Sequence, residues 1–358
     1  MFHWPSCFGS SVWRFQKLNP VLVSRAIPKR RRKRVLETTR KWRWGKNRWI
    51  VLLLIILSVF AINIAAPVQP HIQVAPEKII EEPLFNLGPL GDFYLVNTLP
   101  TLIIVDLIII AIAFAVRQSL RKGDLVPRGI AGAMEGLIEV LYNLTESAAG
   151  KHARRIFPWF ATILILVLVA NLMKVLPGME TVGVMHHYDH GHPIQNLFGN
   201  FYTLLPGEAE HGDGYILTPF FRAVSTDLNF TLALALISVF MTQVIGVQTQ
   251  GLRYFTKFIN FTTMFKKPFF GFMDFLVGLL ELISEFAKIL SFTFRLFGVM
   301  FSGFVLVALV ITLVPIFVPS MIYMFEVFMG VIQAFVFGML TMVFMSMATR
   351  GHGEEEHH

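Results

Sequence analysis

The chain has 358 residues, of which 54% are hydrophobic, and it carries a formal net charge of +8. Several uncharged runs of about 20 residues exclude an ordinary soluble domain and indicate a helical protein that crosses the membrane several times. A membrane β-barrel is excluded because its strands would appear as weak alternating segments rather than solid apolar runs. The single cysteine, Cys7, excludes an internal disulfide bond.

Residues 1–48 form a basic arm, which contains the run Pro28–Arg34 and has no acidic residue before Glu37. We interpret it as a cytoplasmic anchor, because lysine and arginine accumulate on the cytoplasmic side of membrane proteins. The same charges, together with the tryptophans, would also bind anionic lipids. An organellar transit peptide is the alternative, since such peptides are rich in arginine and poor in acidic residues. Nucleic-acid binding is the least favoured interpretation, because an apolar run follows the arm directly.

The apolar runs predict six membrane-spanning helices, and the first of them, 49–66, follows the basic arm. A proline-rich stretch, 67–100, is predicted to be non-helical and outside the membrane. Residues 130–149 are amphipathic and are predicted to lie at the membrane interface. A polar tail, 350–358, is predicted to be disordered. The five remaining spans are predicted at about 101–116, 157–176, 228–247, 269–315 and 320–347.

The connection between the third and fourth spans, 177–219, contains the histidine-rich sequence His186–His192. A metal site needs ligands that the fold holds in a fixed geometry. The segment contains glycine and has no partner motif elsewhere in the chain, which favours a flexible, solvated loop over a bound metal. We therefore expect neither a metal nor another cofactor.

The charges predict the orientation of the spans. The connections 117–155 and 250–268 carry many lysine and arginine residues, whereas the intervening connections carry few. The amino terminus, both basic connections and the carboxyl terminus are therefore expected on the cytoplasmic side. Only a short link separates the fifth predicted helix from the sixth, so these two helices are predicted to form a hairpin.

The fifth predicted helix carries Arg295 near the middle of an apolar run. An arginine in the hydrocarbon core costs about 2.5–3.5 kcal/mol, and it cannot escape this cost by losing its proton. At about 100° per residue, a polar stripe runs within roughly 40° of Arg295. Its members are Glu281, Ser284, Lys288, Ser291 and Ser302. The stripe favours an ion path, and the alternative is a buried ion pair in a helix bundle.

The sixth predicted helix carries Glu326 and Gln333, which are seven residues apart and therefore share one face. The glutamine alone would be explained by an interhelical hydrogen bond, which is common in membrane proteins. Facing the polar stripe of the preceding helix, the two residues together favour a second part of an ion path.

Three ordered motifs give the chain a family resemblance. The sequence R-L-F-G at Arg295–Gly298 resembles the fifth membrane helix of subunit a of the rotary F-type ATP synthases. The sequence Q-A-F-x-F at Gln333–Phe337 and the sequence N-L-M-x-x-L-P at Asn171–Pro177 are similar to two further signatures of that family. The resemblance covers residues 75–349, which we interpret as the subunit a membrane domain.

The resemblance implies an all-α, polytopic membrane protein whose last two helices form a long hairpin against a rotor ring. It implies an ion-translocating stator subunit, with two half-channels that carry protons to and from rotor carboxylates and no catalysis of its own. The implied partners are the ring of c subunits, the b subunits of the peripheral stalk and membrane lipids, with no nucleic acid. The implied location is the bacterial inner (plasma) membrane, and the alternative is the mitochondrial inner membrane.

The resemblance implies that seven residues of this chain take part in proton translocation. They are Asn171, Glu281, Lys288, Ser291, Arg295, Glu326 and Gln333. Three positions depart from the family pattern. Val299 stands where the family often has asparagine, Phe304 where it often has glutamate or histidine, and Lys174 where it often has an acidic residue. These departures concern the outer half-channel. A secondary transporter or channel with its own substrate site is the rival function, but it usually has an internal repeat, and none is found. The choice between H⁺ and Na⁺ stays open.

Overall fold

The chain divides into two compact units, 1–54 and 55–358, and the description that follows concerns the second. The predicted arm 1–48, most of the first span 49–66 and the tail 351–358 lie outside the described residues. The computed structural model describes residues 72–121, 129–199, 201–207, 214–251, 254, 268–314 and 318–350, apart from 81, 87, 89–90, 175 and 177–178, and isolated positions between 49 and 60.

Helices dominate the described residues, which confirms the all-α, polytopic class. Five segments are long and apolar enough to cross a membrane: Thr98–Ser119, Ala131–Met173, Leu228–Gln250, Phe275–Leu313 and Val318–Thr349. The total of six spans stays a prediction, because the first one lies outside the described residues. The helices are α1 (Thr98–Arg121), α2 (Ile130–Ala149), α3 (Ala153–Met173), α4 (Leu228–Gln250), α5 (Pro268–Leu313) and α6 (Val318–Thr349).

The helix boundaries follow local chemistry. Helix α4 begins at residue 228, as predicted, because the Asp227 side chain accepts a 2.8 Å hydrogen bond from the backbone N–H of Asn229. Helix α1 begins at Thr98, a few residues before its predicted start, and Pro100 occupies its first turn, where a missing N–H does no harm. A short 3-10 turn, Gly150–His152, joins the amphipathic helix α2 to α3.

Helix α6 lies at the centre of the bundle and contacts α2, α3, α4 and α5. The main core cluster includes Val167, Leu296 and Phe337, each at most 1% exposed. Gly338 brings α3 and α6 together, because a Cβ atom added there would lie 2.9 Å from Cβ of Leu164. Close helix contact through small residues is the usual way in which membrane helices associate.

Helices α5 and α6 run antiparallel and side by side. The ring centroids of Phe292 and Phe337 lie 5.0 Å apart. Further along α5, and earlier along α6, a Cβ atom added at Gly303 would meet the carboxylate of Glu326. The two contacts are separated by the same number of residues on each helix, so they define a single antiparallel register. The long hairpin against a rotor ring stays a prediction.

The connection 177–219 corrects the prediction of a flexible loop, because much of it is antiparallel β structure. Strand β3 (Gly183–His192) pairs with β6 (Tyr215–Pro219), and β4 (Ile194–Phe198) pairs with β5 (Phe201–Leu204). Two shorter strands, β1 at Phe85–Asn86 and β2 at Asp92–Phe93, pair within the earlier connection. We infer that these strands form a structured layer outside the membrane spans.

The sequence contains strand-favouring residues in this connection, but its histidines and glycines suggested a flexible loop. Aromatic and β-branched residues, which favour strands, cluster in the segment Tyr215–Thr218. Gly183 sits where the paired strand passes so closely that a Cβ atom would meet the carbonyl oxygen of Thr218. Glycine in this segment therefore permits close strand pairing instead of indicating flexibility.

Candidate ion-translocation site

Arg295 lies near the middle of α5, on a face that the described residues leave exposed. Its Nη2 atom donates a hydrogen bond to Oγ of Ser291, one helical turn earlier, at 3.1 Å. Another face of α5 carries Phe292, Leu296 and Met300, which are buried against neighbouring helices. Packing of that apolar face directs the arginine away from the bundle. A guanidinium exposed in mid-span needs a polar partner, because it stays charged.

The Glu326 carboxylate forms a buried ion pair with Lys174, at the end of α3. The Lys174 Nζ atom lies 2.8 Å from Glu326 Oε1, and the two side chains are 6% and 7% exposed. The same ammonium donates a hydrogen bond to the Met300 carbonyl oxygen at 3.2 Å. The second oxygen, Glu326 Oε2, is buried and has no hydrogen-bond partner among the described residues. This oxygen is therefore available to accept a proton while Oε1 stays paired.

Gly303 makes room for this pair, so we expect Gly303→Ala to lower the stability of the purified protein. The added Cβ atom would lie 2.5 Å from Glu326 Oε1 and 3.3 Å from Lys174 Nζ. Overpacking of this kind costs about 1–3 kcal/mol. Gly136→Ala in α2 is the matched control, since no heavy atom lies within 4 Å of its added Cβ atom. Thermal unfolding in detergent measures both, and equal midpoints would contradict the expectation.

Asn171 links three elements of the bundle. Its Nδ2 atom donates to the Gly330 carbonyl oxygen at 2.9 Å, and its Oδ1 atom accepts from Oγ of Ser225 at 2.6 Å. Ser225 belongs to the 3-10 turn Val224–Thr226 that precedes α4. Gly330 again allows the approach, because an added Cβ atom would lie 3.2 Å from Cβ of Asn171. Asn171 therefore holds α3, α6 and the start of α4 in register below the Lys174–Glu326 pair.

Gln333 lies one helical turn beyond Gly330, and its side chain is buried. Its Nε2 atom has no hydrogen-bond partner in the described part of the chain. The register of α5 and α6 places Gln333 at the level of Leu296, next to Arg295 in sequence. A buried amide of this kind can both donate and accept hydrogen bonds. The structure thus brings Glu326, Asn171 and Gln333 together along one side of α6.

The predicted stripe on α5 divides into two parts. Ser291 and Arg295 are exposed, whereas Lys288 turns toward α6, with Nζ 5.0 Å from the ring centroid of Phe344. Lys288 Nζ also lies 3.0 Å from Oε1 of Glu285, whose side chain is only 10% exposed. Glu285 was not among the predicted site residues, although its spacing of three residues from Lys288 is a signal for a helical ion pair. Glu281 lies half-buried.

Phe304, which departs from the family pattern, packs against a cation outside the spans. The Arg222 guanidinium carbon lies 5.4 Å from the Phe304 ring centroid. Arg222 also donates to the carbonyl oxygens of Gln73 at 2.7 Å and Ala75 at 3.1 Å. Burial lowers the pKa of Arg222, and the carboxylate of Glu77 is the largest influence that opposes this shift. Arg222 therefore fastens the segment before α1 over the outer part of α5.

The histidine-rich segment lies in paired strands. The ring centroids of His187 and Tyr215 lie 5.4 Å apart, in an edge-on arrangement. The Nδ1 atom of His192 lies 2.7 Å from the Gly207 carbonyl oxygen. Within the described ranges, no three histidine, cysteine or acidic side chains form a group that could hold a metal. His187 and His192 thus make contacts within the paired strands and the connection that follows them.

Comparison with known proteins adds to this geometry. The family model of the ATP synthase A chain matches residues 99–346. The ATP synthase subunit a of Moorella thermoacetica is 28% identical over 269 residues, which cover 75% of this chain and 96% of the relative. The subunit a of Mycobacterium tuberculosis is 30% identical over 267 residues, which cover 73% and 89%. The subunit a of Helicobacter pylori is 28% identical over 231 residues, which cover 63% and 79%.

The matched region contains the three motifs and all or nearly all of each helix from α1 to α6. It covers more than half of the chain, and the secondary-transporter alternative is not favoured. The chain belongs to the ATP synthase subunit a family and is an ion-translocating stator subunit of the F-type ATP synthase membrane sector.

Proposed function

We propose that this subunit carries protons between the two membrane faces and the carboxylates of a rotor ring, and that Arg295 separates the two paths. The observation that carries the proposal is the exposure of Arg295 in the middle of α5, beside Ser291. An exposed charge at this depth requires a partner from outside the described chain. A membrane carboxylate on each rotor subunit supplies such a partner.

The fixed charge of Arg295 would act on a rotor carboxylate in two ways. A positive charge nearby favours the ionised carboxylate, so a proton is released as the rotor site approaches. The same charge repels a cation that would pass directly from one path to the other. Each proton must therefore stay bound to a rotor carboxylate while the ring rotates in order to reach the opposite path. One charge moved through 100 mV supplies about 2.3 kcal/mol, so several protons must act together for each ATP.

We assign the outer path to the buried polar groups along α6. Glu326 and Gln333 are seven residues apart, or about 10 Å along the helix axis. Asn171 lies between their levels through its bond to Gly330. The Lys174–Glu326 pair lies at the outer end of this series, and Gln333 lies at the level of Arg295. A proton could therefore move inward from Glu326 to the rotor-facing side of α5.

We assign the inner path to the cytoplasmic half of α5, where Glu281, Lys288 and Ser291 accompany the buried acid Glu285. Carboxylate, ammonium and hydroxyl groups on successive turns can hold a file of water molecules. This assignment predicts a path that is open on one side of the helix only, because apolar residues such as Leu282 occupy the other sides.

Cysteine labelling measures this path. After Cys7 is replaced, cysteines at Glu281, Ser284 and Ser291 should react with hydrophilic thiol reagents or bind Ag⁺ in membranes that contain the assembled complex. Cysteines at Leu282 and Ile289 are the controls and should react much less. Leu282 is an exposed apolar residue, and Ile289 packs against the hydrophobic core. Equal labelling around the helix would contradict a one-sided path.

The remaining assignments extend the same proposal. The sequence has no Gly-rich phosphate loop, and we propose that nucleotide chemistry occurs on other subunits. The partners are a ring of c subunits, peripheral-stalk b subunits and membrane lipids, and nucleic acid is not a partner. The basic arm 1–48, on the cytoplasmic side, and the membrane-spanning helix 49–66 form an N-terminal addition to the domain 75–349. The named relatives are bacterial, which favours the bacterial inner (plasma) membrane over the mitochondrial inner membrane.

The experiment that tests the proposal compares ATP-driven proton uptake by vesicles that contain the assembled complex with and without Arg295→Ala. Loss of uptake at an unchanged amount of complex supports the proposal. Uptake at the rate of the unsubstituted complex would overturn it.

A further inference from the structure

A cavity of about 680 Å³ lies where the paired strands meet the ends of α5 and α6 that follow Phe304 and precede Glu326. The strands β3, β5 and β6 supply one wall, and Phe304, on α5, and Tyr323, on α6, supply another. Polar groups line it as well, including Glu180 and Arg222. A polar cavity of this size can hold many water molecules, because one water needs only about 30 Å³.

Glu180 is an acidic group of this cavity that interacts electrostatically with both Lys174 and Glu326. Its backbone N–H donates to the Phe221 carbonyl oxygen at 3.1 Å. The carboxyl accepts a backbone hydrogen bond from Ala223, and burial raises its pKa above the ordinary value. Its Oε1 atom is buried and finds no hydrogen-bond partner in the ranges that the structure describes. Glu180 therefore has one oxygen that is held in place and another that can take or give a proton.

The charges of the Lys174–Glu326 pair and of Arg222 act on Glu180. Lys174 and Arg222 favour the ionised carboxyl, and Glu326 opposes it. The buried group thus contains two acids and two bases, and Tyr323 stands one helical turn from Glu326 on the cavity wall.

The backbone of Glu180 adopts a conformation that is unusual for a glutamate. Its φ angle is 66°, in the left-handed region that favours glycine or asparagine. Glutamate in this conformation costs about 1–2 kcal/mol. Unfavourable backbone conformations that persist are concentrated at functional sites. The glutamate side chain therefore stands where the backbone alone would favour glycine.

We propose that Glu180 is a proton-binding site at the outer face, which passes protons between the water of the cavity and Glu326. This proposal rests on the proposed function and adds a residue to its outer path. A hydronium ion in the cavity protonates Glu180 and leaves water. The proton then moves, through bridging water, from Glu180 to Oε2 of Glu326, and Glu180 returns to the carboxylate. Only O–H bonds form and break, and the reverse sequence releases protons. Glu180 thus supplies the proton-carrying group that the side chain of Phe304 lacks.

Aspartate and asparagine at position 180 give a matched test, because they have the same shape and both tolerate left-handed backbone. We expect Glu180→Asp to keep much of the ATP-driven proton uptake and Glu180→Asn to lose about tenfold or more, since a positioned acid contributes about 10²- to 10⁴-fold to proton transfer. Glu82→Asn, at an exposed acid in the segment before α1, is the control and should leave uptake unchanged. The amount of assembled complex is measured for each variant.

Chemical rescue separates a proton carrier from a structural group. Glu180→Gly removes the carboxyl and suits the backbone conformation. Added formate should restore part of its proton uptake, because formic acid can enter the cavity and carry the proton that Glu180 carried. The same formate concentration should not increase uptake by the Glu82→Asn control or by Glu180→Asp.

Three results would overturn the proposal. One is Glu180→Asn uptake equal to that of the Glu82→Asn control. Another is equal loss in Glu180→Asp and Glu180→Asn complexes that assemble normally. A third is a Glu180→Gly complex that assembles, pumps slowly and does not respond to formate. If Glu326→Gln is inactive in the same vesicles, each of these results leaves the outer path through Glu326 intact and removes Glu180 alone.

Discussion

Arg295→Ala should abolish proton-coupled ATP synthesis and ATP-driven proton uptake while the complex still assembles. The guanidinium is exposed and bonds only to Ser291 among the contacts that the described residues make, so its removal leaves no unpaired buried group. The variant lacks the charge that promotes release of a proton from a rotor carboxylate. It also lacks the barrier between the paths, so vesicles that contain it should leak protons passively.

The control for this prediction is Arg154→Ala, an exposed arginine at the start of α3. It removes the same side chain outside the middle of a span and should leave uptake near that of the unsubstituted complex. Proton uptake and synthesis rates are measured in vesicles with matched amounts of complex. Coupled pumping by Arg295→Ala at the control rate would show that another residue separates the paths.

Arg295→Lys should fail as well, although it keeps a positive charge. A lysine can lose its proton when it leaves water, and it lacks the planar fork that can bond a carboxylate through two nitrogens. The lysine side chain is also shorter than the arginine side chain, so it would reach less far toward a rotor carboxylate. Recovery of full coupling in this variant would mean that charge alone is sufficient at position 295.

The parts of the fold that depend on local signals could be predicted from sequence. The apolar runs identified α1 and α3 to α6, and Asp227 marked the start of α4 through a capping bond to Asn229. The strands between residues 183 and 219 were missed, because β3 pairs with β6 far along the sequence and the glycines suggested flexibility. Strand pairing depends on this long-range context, whereas an apolar run of membrane length does not.

The site shows the same limit. Arg295 and Gln333 stood out, because a charge or an amide inside an apolar span is conspicuous. The pairing of Lys174 with Glu326 was not predicted, because the two residues lie 152 residues apart in sequence. Position 174 therefore looked like the loss of an acid, whereas the structure shows the base of a buried ion pair.

The Lys174–Glu326 pair changes what is expected of Glu326→Gln. Removal of one partner leaves a buried ammonium without its carboxylate, which costs about 3–5 kcal/mol. The single variant should therefore lose proton flux and also yield less assembled complex. Lys174→Gln combined with Glu326→Gln removes both charges, so assembly should recover in the double variant. Recovery of assembly without recovery of flux would separate the proton-carrying role of Glu326 from its structural role.

Exchanging the two residues, Lys174→Glu with Glu326→Lys, makes the test of position sharper. The exchange keeps one acid and one base in the same buried space, but it moves the carboxyl from α6 to the end of α3. The complex should assemble better than with Glu326→Gln alone, and its ATP-driven proton uptake should still fall by about tenfold or more, because proton transfer depends on where the acid stands. The Lys174–Glu326 double glutamine complex is measured beside it. Normal uptake by that complex would show that protons bypass Glu326, and normal uptake by the exchanged complex would show that an acid on either helix serves the outer path.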